Sequence, residues 1–263
     1  MAVFIDQMGN DIRLEKIPKR IISLVPSQTE LLFDLGLRDE VVGITKFCIH
    51  PEEWFKTKQR VGGTKKINFD KIKELNPDLI IGNKEENEKE QILEVMKHYP
   101  VWMSDIKTLD DALKMIINVG ELVNKKQKSE ELVRKIKIEF EKLNNQQQTT
   151  KSVAYLIWKN PYMTIGSDTF INHMLHLLGL KNVFAKIKRY PEIIADELIQ
   201  ANPDLIFLSS EPYPFKDKHV EEFKTICPKA EVKIVGGEMF SWYGSRLLYA
   251  PNYFTELLKQ LDK

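Results

Sequence analysis

The stretch DKIKELNPDLI, residues 70–80, occurs a second time in the chain as DELIQANPDLI, residues 196–206, aligned without a gap. Each copy is typical of a short amphipathic helix, an Asn-Pro-Asp turn and a buried apolar strand. The proline after Asn76 and after Asn202 disfavours the helical region for both asparagines. A helix–turn–strand unit that recurs about half a chain apart predicts two similar α/β lobes.

The composition excludes several classes of protein. Lys plus Arg number 39 and Asp plus Glu 38, so the net charge of +1 gives no reason to expect nucleic acid as a partner. Cys48 and Cys227 are too few and too far apart for a disulfide framework, which predicts free thiols. At 263 residues the chain is near the size at which one hydrophobic core divides into two.

The N-terminal residues MAVFIDQMGN lack the basic start and the apolar core of a signal peptide. No apolar run in the chain approaches the ~20 residues that a transmembrane helix needs. Either a leader has been removed or the protein stays in the cytoplasm, and the sequence leaves both alternatives open.

The first half of the chain shows alternating strand and helix patterns. Residues 3–14 predict a hairpin, and residues 21–25 predict a buried strand that ends at Pro26. Ser27 and Glu30 have the spacing of a capping box, which predicts a helix start at Ser27. Because the second half shows the same alternation from the strand at residues 153–157, we expect parallel sheets in both lobes.

A long helical region separates the two halves. Residues 108–143 are rich in helix formers, and Gly120 and Asn124 predict an interruption between two helices. The second helix, from about residue 127 to 143, would span roughly 25 Å, long enough to bridge two lobes. The polar stretch 144–150 follows it. We therefore predict an N-terminal lobe (1–120), a bridging helix (121–150) and a C-terminal lobe (151–263).

Three segments together resemble the cobalamin- and ferric-siderophore-binding proteins of ABC importers. They are PKRIISLVPSQTELL (18–32), the Val-Gly-Gly at 61–63 followed by Asn-Pro-Asp-Leu-Ile, and WYGSR (242–246). The resemblance implies an α/β fold of two Rossmann-like lobes with parallel sheets, joined by a single long bridging helix, with a ligand cleft between the lobes. It also implies a non-catalytic receptor that binds a metal chelate and works outside the cytoplasmic membrane, in the periplasm or at the cell surface.

The same resemblance implies a membrane partner. Family members present one acidic residue from each lobe to arginines of the ABC permease dimer, and Asp70 and Asp196 occupy those positions here. Glu74 and Glu197 lie on the same predicted helices and are alternatives. A carboxylate in the first turn of a helix also stabilises the helix dipole, which is the structural alternative for both aspartates. We expect a monomer.

The candidate ligand-binding residues lie in loops after predicted strands, because ligands bind outside the carboxyl ends of parallel strands. Aromatic faces suit a macrocycle or a catecholate chelate, and cations suit an anionic one. By resemblance, Phe47 and Tyr190 stand where cobalamin-binding members have aromatic residues, whereas Thr64 replaces a third aromatic and weakens the case for cobalamin itself. The predicted residues are Phe47, Cys48, His50, Thr64, Lys65, Trp158, Tyr162, Tyr190, Glu211, Tyr213, Trp242, Tyr243 and Arg246.

Neither a resident metal nor catalysis is predicted. Cys48 and His50 are the only metal-ligating pair in a candidate loop, and a tetrahedral site would need two more ligands. Nucleophile-elbow, phosphate-loop and dinucleotide-binding motifs are absent from the sequence. We therefore expect no intrinsic cofactor, with cobalamin or an iron siderophore bound as ligand. The alternatives are a cytoplasmic chelate carrier or sensor on the same fold and an enzyme that uses the cleft.

Overall fold

Two units make up the structure, a computed structural model that describes residues 2–144 and 149–261. Unit 1 is formed by Met1–Ile106, Asp110–Ile136 and Trp242–Leu248. Unit 2 is formed by Lys107–Leu109, Lys137–Ser241 and Tyr249–Lys263. No helix in the described residues is long and apolar enough to cross a lipid bilayer.

Unit 1 contains a parallel sheet built from short apolar runs. Its first elements are β1 (Ala2–Ile5), β2 (Asp11–Leu14), β3 (Ile21–Ser23), α1 (Pro26–Asp34), β4 (Val41–Ile44), α2 (Glu52–Thr57), β5 (Gln59–Arg60), α3 (Phe69–Leu75), β6 (Leu79–Asn83), α4 (Lys89–Met96) and β7 (Val101–Ser104). Strands β1 and β2 pair antiparallel, which confirms the predicted hairpin. The other five are ordered β5-β4-β3-β6-β7, and every neighbouring pair is parallel. The prediction of a parallel sheet is therefore confirmed.

Helices α5 (Leu109–Leu122) and α6 (Lys126–Asn144) follow this sheet. The predicted interruption falls at Asn124, which has a positive φ of 56°, but Gly120 lies inside α5. A side chain at Gly120 would collide with Ser129 Oγ of α6, so the glycine allows the two helices to pack closely. Helix α6 has 19 residues, and the chain passes from unit 1 to unit 2 inside it, after Ile136.

Part of the predicted exit from this helix, residues 145–148, lies outside the described residues. The lobe boundaries at 120 and 151 remain a prediction. The segment Trp242–Leu248, which falls in the predicted C-terminal lobe, groups with unit 1 in the structure.

Unit 2 has a second sheet with a parallel centre. The remaining elements of the chain are β8 (Ser152–Trp158), β9 (Tyr162–Thr164), α7 (Phe170–Leu177), β10 (Lys181–Asn182), β11 (Glu192–Ile193), α8 (Ala195–Ala201), β12 (Leu205–Ser209), α9 (Asp217–Ile226), β13 (Glu231–Val235), α10 (Gly237–Ser241), a 3₁₀ helix (Ser245–Leu248) and α11 (Ala250–Leu261). The strand order is β11-β9-β8-β12-β13, and β10 also pairs with β8. The pairs of β8, β10, β12 and β13 are parallel, as predicted, whereas β9 and β11 add an unpredicted antiparallel edge.

The repeated stretch forms α3 and β6 in unit 1 and α8 and β12 in unit 2. Asn76 (φ 41°, ψ 66°) and Asn202 (φ 42°, ψ 59°) end their helices in the left-handed conformation. The prediction that both leave the helical region is confirmed. They are left-handed rather than extended because each serves as a helix C-terminal cap, a position at which asparagine is tolerated.

The aspartate of each repeat holds the neighbouring central strand. Asp78 accepts hydrogen bonds from the backbone amides of Lys19 and Arg20, the latter at 2.8 Å, just before β3. Asp204 accepts hydrogen bonds from Ser152 at the start of β8. Because β6 pairs with β3 and β12 pairs with β8, each Asn-Pro-Asp turn fixes the entry of two central strands.

The capping box predicted at Ser27 is wrong. Helix α1 begins at Pro26, with Val25 as its N-cap and no side-chain cap, because proline is favoured in the first helical turn. Ser27 therefore lies inside the helix, and Glu30 pairs with Arg246 instead. Gly36 and Gly179 follow the C-terminal caps of α1 and α7, with left-handed φ values of 87° and 76°.

Candidate functional site

The carboxyl edge of the first sheet has a topological switch point. The chain continues from β3 to β4 on one side, while β6 and β7 lie on the other, so the loops after β3 and β6 diverge there. Ligands of open α/β sheets bind at such points. Asn87 joins the loops around it, since its Nδ2 donates to the carbonyl oxygens of Leu24 at 3.3 Å and Thr64 at 3.0 Å.

Two buried asparagines fix the loop after β6. The Asn83 side-chain oxygen accepts from the amides of Glu85 at 2.8 Å and Glu86 at 3.1 Å. The Asn87 side-chain oxygen accepts from the Asn83 amide at 2.8 Å. Lys65 Nζ donates to the Glu85 carbonyl at 2.7 Å, so this predicted ligand-binding amine is engaged with the backbone.

Glu86 projects from this loop and was not predicted from the sequence. Its side chain is half-buried, and its carboxylate has no hydrogen-bond or ion-pair partner among residues 2–144 and 149–261. Burial raises the pKa of the Glu86 carboxyl, against the opposing charge of Lys65. The residue lies in the charged run KEENEKE, which is typical of a solvated surface, so no spacing distinguished it.

The loop after β4 carries an exposed aromatic and a buried thiol. Phe47 is 51% exposed, with the Lys46 ammonium 5.0 Å from its ring centroid. Cys48 is fully buried, with its Sγ 3.1 Å from Thr29 Oγ1 and 3.2 Å from Thr45 Oγ1. Burial raises the pKa of this thiol. Phe47 therefore faces solvent, whereas Cys48 packs inside unit 1.

The segment Trp242–Leu248 brings three predicted residues together. Arg246 binds Glu30 of α1 with both ends of its guanidinium group, at 3.0 Å from Nε and 2.5 Å from Nη2. Its guanidinium lies 4.8 Å from the Trp242 ring, which in turn meets the His50 ring edge-on at 5.7 Å. Burial raises the pKa of Glu30, and the bond to Arg246 opposes this rise. Tyr243, like Trp242, is buried.

Close backbone packing holds this segment in unit 1. A Cβ atom at Gly244 would lie 2.8 Å from the carbonyl oxygen of Ser27, so only glycine allows this approach. The segment's position is thus fixed by α1, both through Gly244 and through the Arg246–Glu30 pair.

In unit 2 the loops after β8 and β12 are aromatic, and the two strands are adjacent at a second switch point. The rings of Trp158 and Tyr213 meet edge-on at 5.5 Å, and Trp158 is 38% exposed. The Tyr162 hydroxyl donates to Glu222 at 2.9 Å, and Lys159 pairs with the same carboxylate. Burial and the bond to Glu222 raise the pKa of Tyr162 to about 12. Tyr162 therefore supports the loop with its hydroxyl engaged.

Glu211 and Tyr190 complete the predicted residues of unit 2. The Glu211 carboxylate accepts from Ser241 Oγ at 3.1 Å, and its carbonyl accepts from Ser209 Oγ at 2.6 Å. Tyr190 is half-buried, with the Arg189 guanidinium 5.6 Å from its ring.

The thirteen predicted residues are thus divided between the two units. Five lie in unit 2, and seven lie in unit 1 together with the buried Cys48. Those of unit 1 are Phe47, His50, Thr64, Lys65, Trp242, Tyr243 and Arg246, and those of unit 2 are Trp158, Tyr162, Tyr190, Glu211 and Tyr213. Their contact with a ligand remains a prediction. The described part of the chain contains no group of three or more His, Cys, Asp or Glu side chains able to hold a metal ion.

The two aspartates predicted to meet a permease occupy equivalent positions. Asp70 and Asp196 are the second residues of α3 and α8, both are exposed, and neither carboxylate has a partner within the described ranges. The two glutamates predicted as alternatives both have partners within the chain. Glu74 pairs with Lys71 at 2.6 Å, and Glu197 accepts a hydrogen bond from the Ile194 amide at 2.9 Å.

The chain is similar in sequence to known binding proteins. The profile of a family described as periplasmic binding protein matches residues 21–225. An uncharacterized ABC transporter substrate-binding lipoprotein of Bacillus subtilis is 30% identical over 217 residues, 78% of this chain and 68% of that protein. A vitamin B12-binding protein of Vibrio parahaemolyticus is 26% identical over 196 residues, 73% of this chain and 70% of that protein.

The fold also matches a solved structure. The crystal structure of a possible iron-binding, periplasmic solute-binding protein from Staphylococcus epidermidis superposes with a TM-score of 0.78. The match covers 94% of this chain and 100% of that chain at 24% identity, so the two share a fold.

Proposed function

Because the chain belongs to the periplasmic binding protein family, we propose that it is a non-catalytic substrate-binding receptor of an ABC transporter. Its ligand is a metal chelate: a corrinoid, a ferric siderophore or a haem-like macrocycle. The chelate is cargo, and the protein needs no cofactor of its own.

One observation carries this proposal: large aromatic side chains stand exposed at the carboxyl edges of both sheets. Phe47 follows β4 and is 51% exposed, and Trp158 ends β8 and is 38% exposed. Apolar rings in such places are typical of ligand sites, where a few convergent polar groups fix orientation. Flat rings suit the broad apolar faces of a chelate. The name of the B12-binding relative agrees with this ligand class.

The partner is an ABC permease dimer. Asp70 and Asp196 are exposed and unpaired within the described residues, and an exposed apolar residue precedes each: Phe69, 42% exposed, comes directly before Asp70, and Ile194, 62% exposed, two residues before Asp196. A charge with an apolar neighbour suits a protein interface, since the charge guides orientation and the apolar group contributes buried area. We place the receptor outside the cytoplasmic membrane, where the lipoprotein relative suggests it acts. Fractionation of native cells tests this, and a protein found only in the cytosol would favour a carrier or sensor.

Absorbance titration of the purified chain against cyanocobalamin, haemin and a ferric siderophore tests the ligand class. We expect affinity well tighter than millimolar for at least one chelate, and a loss of about tenfold or more in Phe47→Ala or Trp158→Ala. Phe55→Ala is the matched control, since Phe55 is 37% exposed on α2 rather than at the carboxyl edge. Equal losses in the control and in the two site variants would contradict the assignment.

A further inference from the structure

We propose that Glu86 contacts the ligand and selects chelates that present hydrogen-bond donors, such as amide or ammonium groups, over polyanionic chelates. This inference rests on the proposed receptor function and narrows its ligand class.

The position of Glu86 supports a ligand contact. The loop that carries it leaves the carboxyl end of β6 at the switch point of the first sheet. Asn83 and Asn87 hold this loop from within, and Asn87 also binds the loops that contain Leu24 and Thr64. Glu86 therefore stands on a rigid support, as a residue that orients a ligand requires.

The carboxylate of Glu86 lacks a partner although it is half-buried. Polar groups that are partly removed from water are normally paired, because an unmade hydrogen bond costs free energy. No side chain or backbone amide of the described residues serves this carboxylate. Burial also raises the pKa of this carboxyl, which agrees with a recessed position. A donor group on a bound ligand would give this carboxylate a hydrogen-bond partner.

The two predicted cations, Lys65 and Arg246, already donate hydrogen bonds to acceptors of the chain itself. Lys65 Nζ donates to the Glu85 carbonyl, and Arg246 binds Glu30 with two hydrogen bonds. The ammonium of Lys46 lies over the Phe47 ring. Glu86 is an acid without a hydrogen-bond or ion-pair partner in the described residues, and an acid disfavours polyanionic ligands by charge repulsion.

Binding of two chelate classes to Glu86→Gln tests the inference. The donor-bearing probes are cyanocobalamin and ferrioxamine B, and the anionic probes are ferric citrate and haemin. We expect wild type to prefer a donor-bearing probe, and Glu86→Gln to weaken that binding about tenfold. The variant should bind the anionic probes no more weakly than wild type does. Glu88→Gln is the matched control, because Glu88 is exposed two residues further along the same loop and should bind like wild type.

The outcomes separate this inference from the function on which it rests. A wild type that binds no probe would overturn both. A wild type that binds while Glu86→Gln and Glu88→Gln bind equally well would overturn only the role of Glu86, as would a wild-type preference for the anionic probes. A second readout needs no variant: the carboxyl ¹³C resonance of Glu86 in wild type should shift on ligand addition, and an unmoved resonance would contradict the contact.

Discussion

The Asp204 carboxylate accepts hydrogen bonds from both the backbone amide and the hydroxyl of Ser152, each at 2.7 Å. Ser152 opens β8, the strand that pairs with the strand after Asp204. In unit 1, Asp78 binds the backbone just before β3 in the same way. The aspartate of the repeated turn is therefore a clamp on the neighbouring strand, which explains why the turn and the strand occur together twice.

The clamp should make stability depend on pH. The hydrogen bonds from Ser152 lower the pKa of Asp204 below its ordinary value of about 3.9. The unfolded chain then binds more protons than the folded one in acid, so stability rises with pH. The contribution is complete above the ordinary pKa and is lost as pH falls through the folded pKa. We expect the free energy of unfolding, measured by urea denaturation, to fall less in Asp204→Asn than in wild type between about pH 5 and pH 2.

The matched control for this clamp is Asp39→Asn, an exposed aspartate in a turn of unit 1 with no hydrogen-bond partner in the described residues. It should keep the acid dependence of wild type. An Asp204→Asn profile parallel to that of wild type would show that the clamp does not form.

At the left-handed positions Asn76 and Asn202, we expect alanine to destabilise the protein and glycine to be neutral. Asn76→Ala and Asn202→Ala should each lower the free energy of unfolding by about 1 kcal/mol, because alanine lacks the short polar side chain that lets asparagine adopt a positive φ. Asn76→Gly and Asn202→Gly should be neutral within about 0.5 kcal/mol, since glycine adopts this conformation freely. Urea unfolding of the four variants measures this. Equal stability of the alanine and glycine variants would contradict the assignment of these caps.

Gly244 should tolerate no side chain. Gly244→Ala places a Cβ 2.8 Å from the Ser27 carbonyl, and a backbone atom yields little, so we expect a loss of about 1–3 kcal/mol. The segment carrying Trp242 should shift, which tryptophan fluorescence reports. Gly236→Ala is the control, since its Cβ would meet Tyr253 at an ordinary 3.5 Å. If both variants were equally stable, the tight contact with α1 would be disproved.

The exposed aspartates of the repeat should matter for coupling and not for ligand binding. Asp70→Lys combined with Asp196→Lys should leave chelate affinity unchanged and abolish transport through the permease, because the variant reverses both charges that we propose to orient the complex. Glu130→Lys with Glu141→Lys makes the same change of charge on the exposed face of α6 and should transport normally. A fall in chelate affinity would instead assign the aspartates to the ligand site or to the fold.

The parts of the fold that depend on local pattern could be predicted from the sequence. Apolar runs and the Asn-Pro-Asp turn mark β6 and β12, and the break near Asn124 separates α5 from α6. The antiparallel strands β9 and β11 have three and two residues, too few for an alternating pattern to appear.

The site was harder to predict because its contacts are distant in sequence. Glu30 has the spacing of a capping residue, and nothing local indicates Arg246, its partner 216 positions later. Glu86 sits in a run of charges that resembles any solvated loop, and its setting depends on Asn83, Asn87 and the strand order. Such residues can be recognised as part of a site only from the structure, because the strand order brings separate loops together.

Native mass spectrometry of the whole chain, incubated with each chelate of the panel, tests the receptor function most directly. It reports stoichiometry and ligand mass in one measurement. We predict a one-to-one complex with at least one chelate, from which the ligand is released with unchanged mass after prolonged incubation. No complex with any chelate, or a released ligand of altered mass, would contradict the proposal of a non-catalytic chelate receptor.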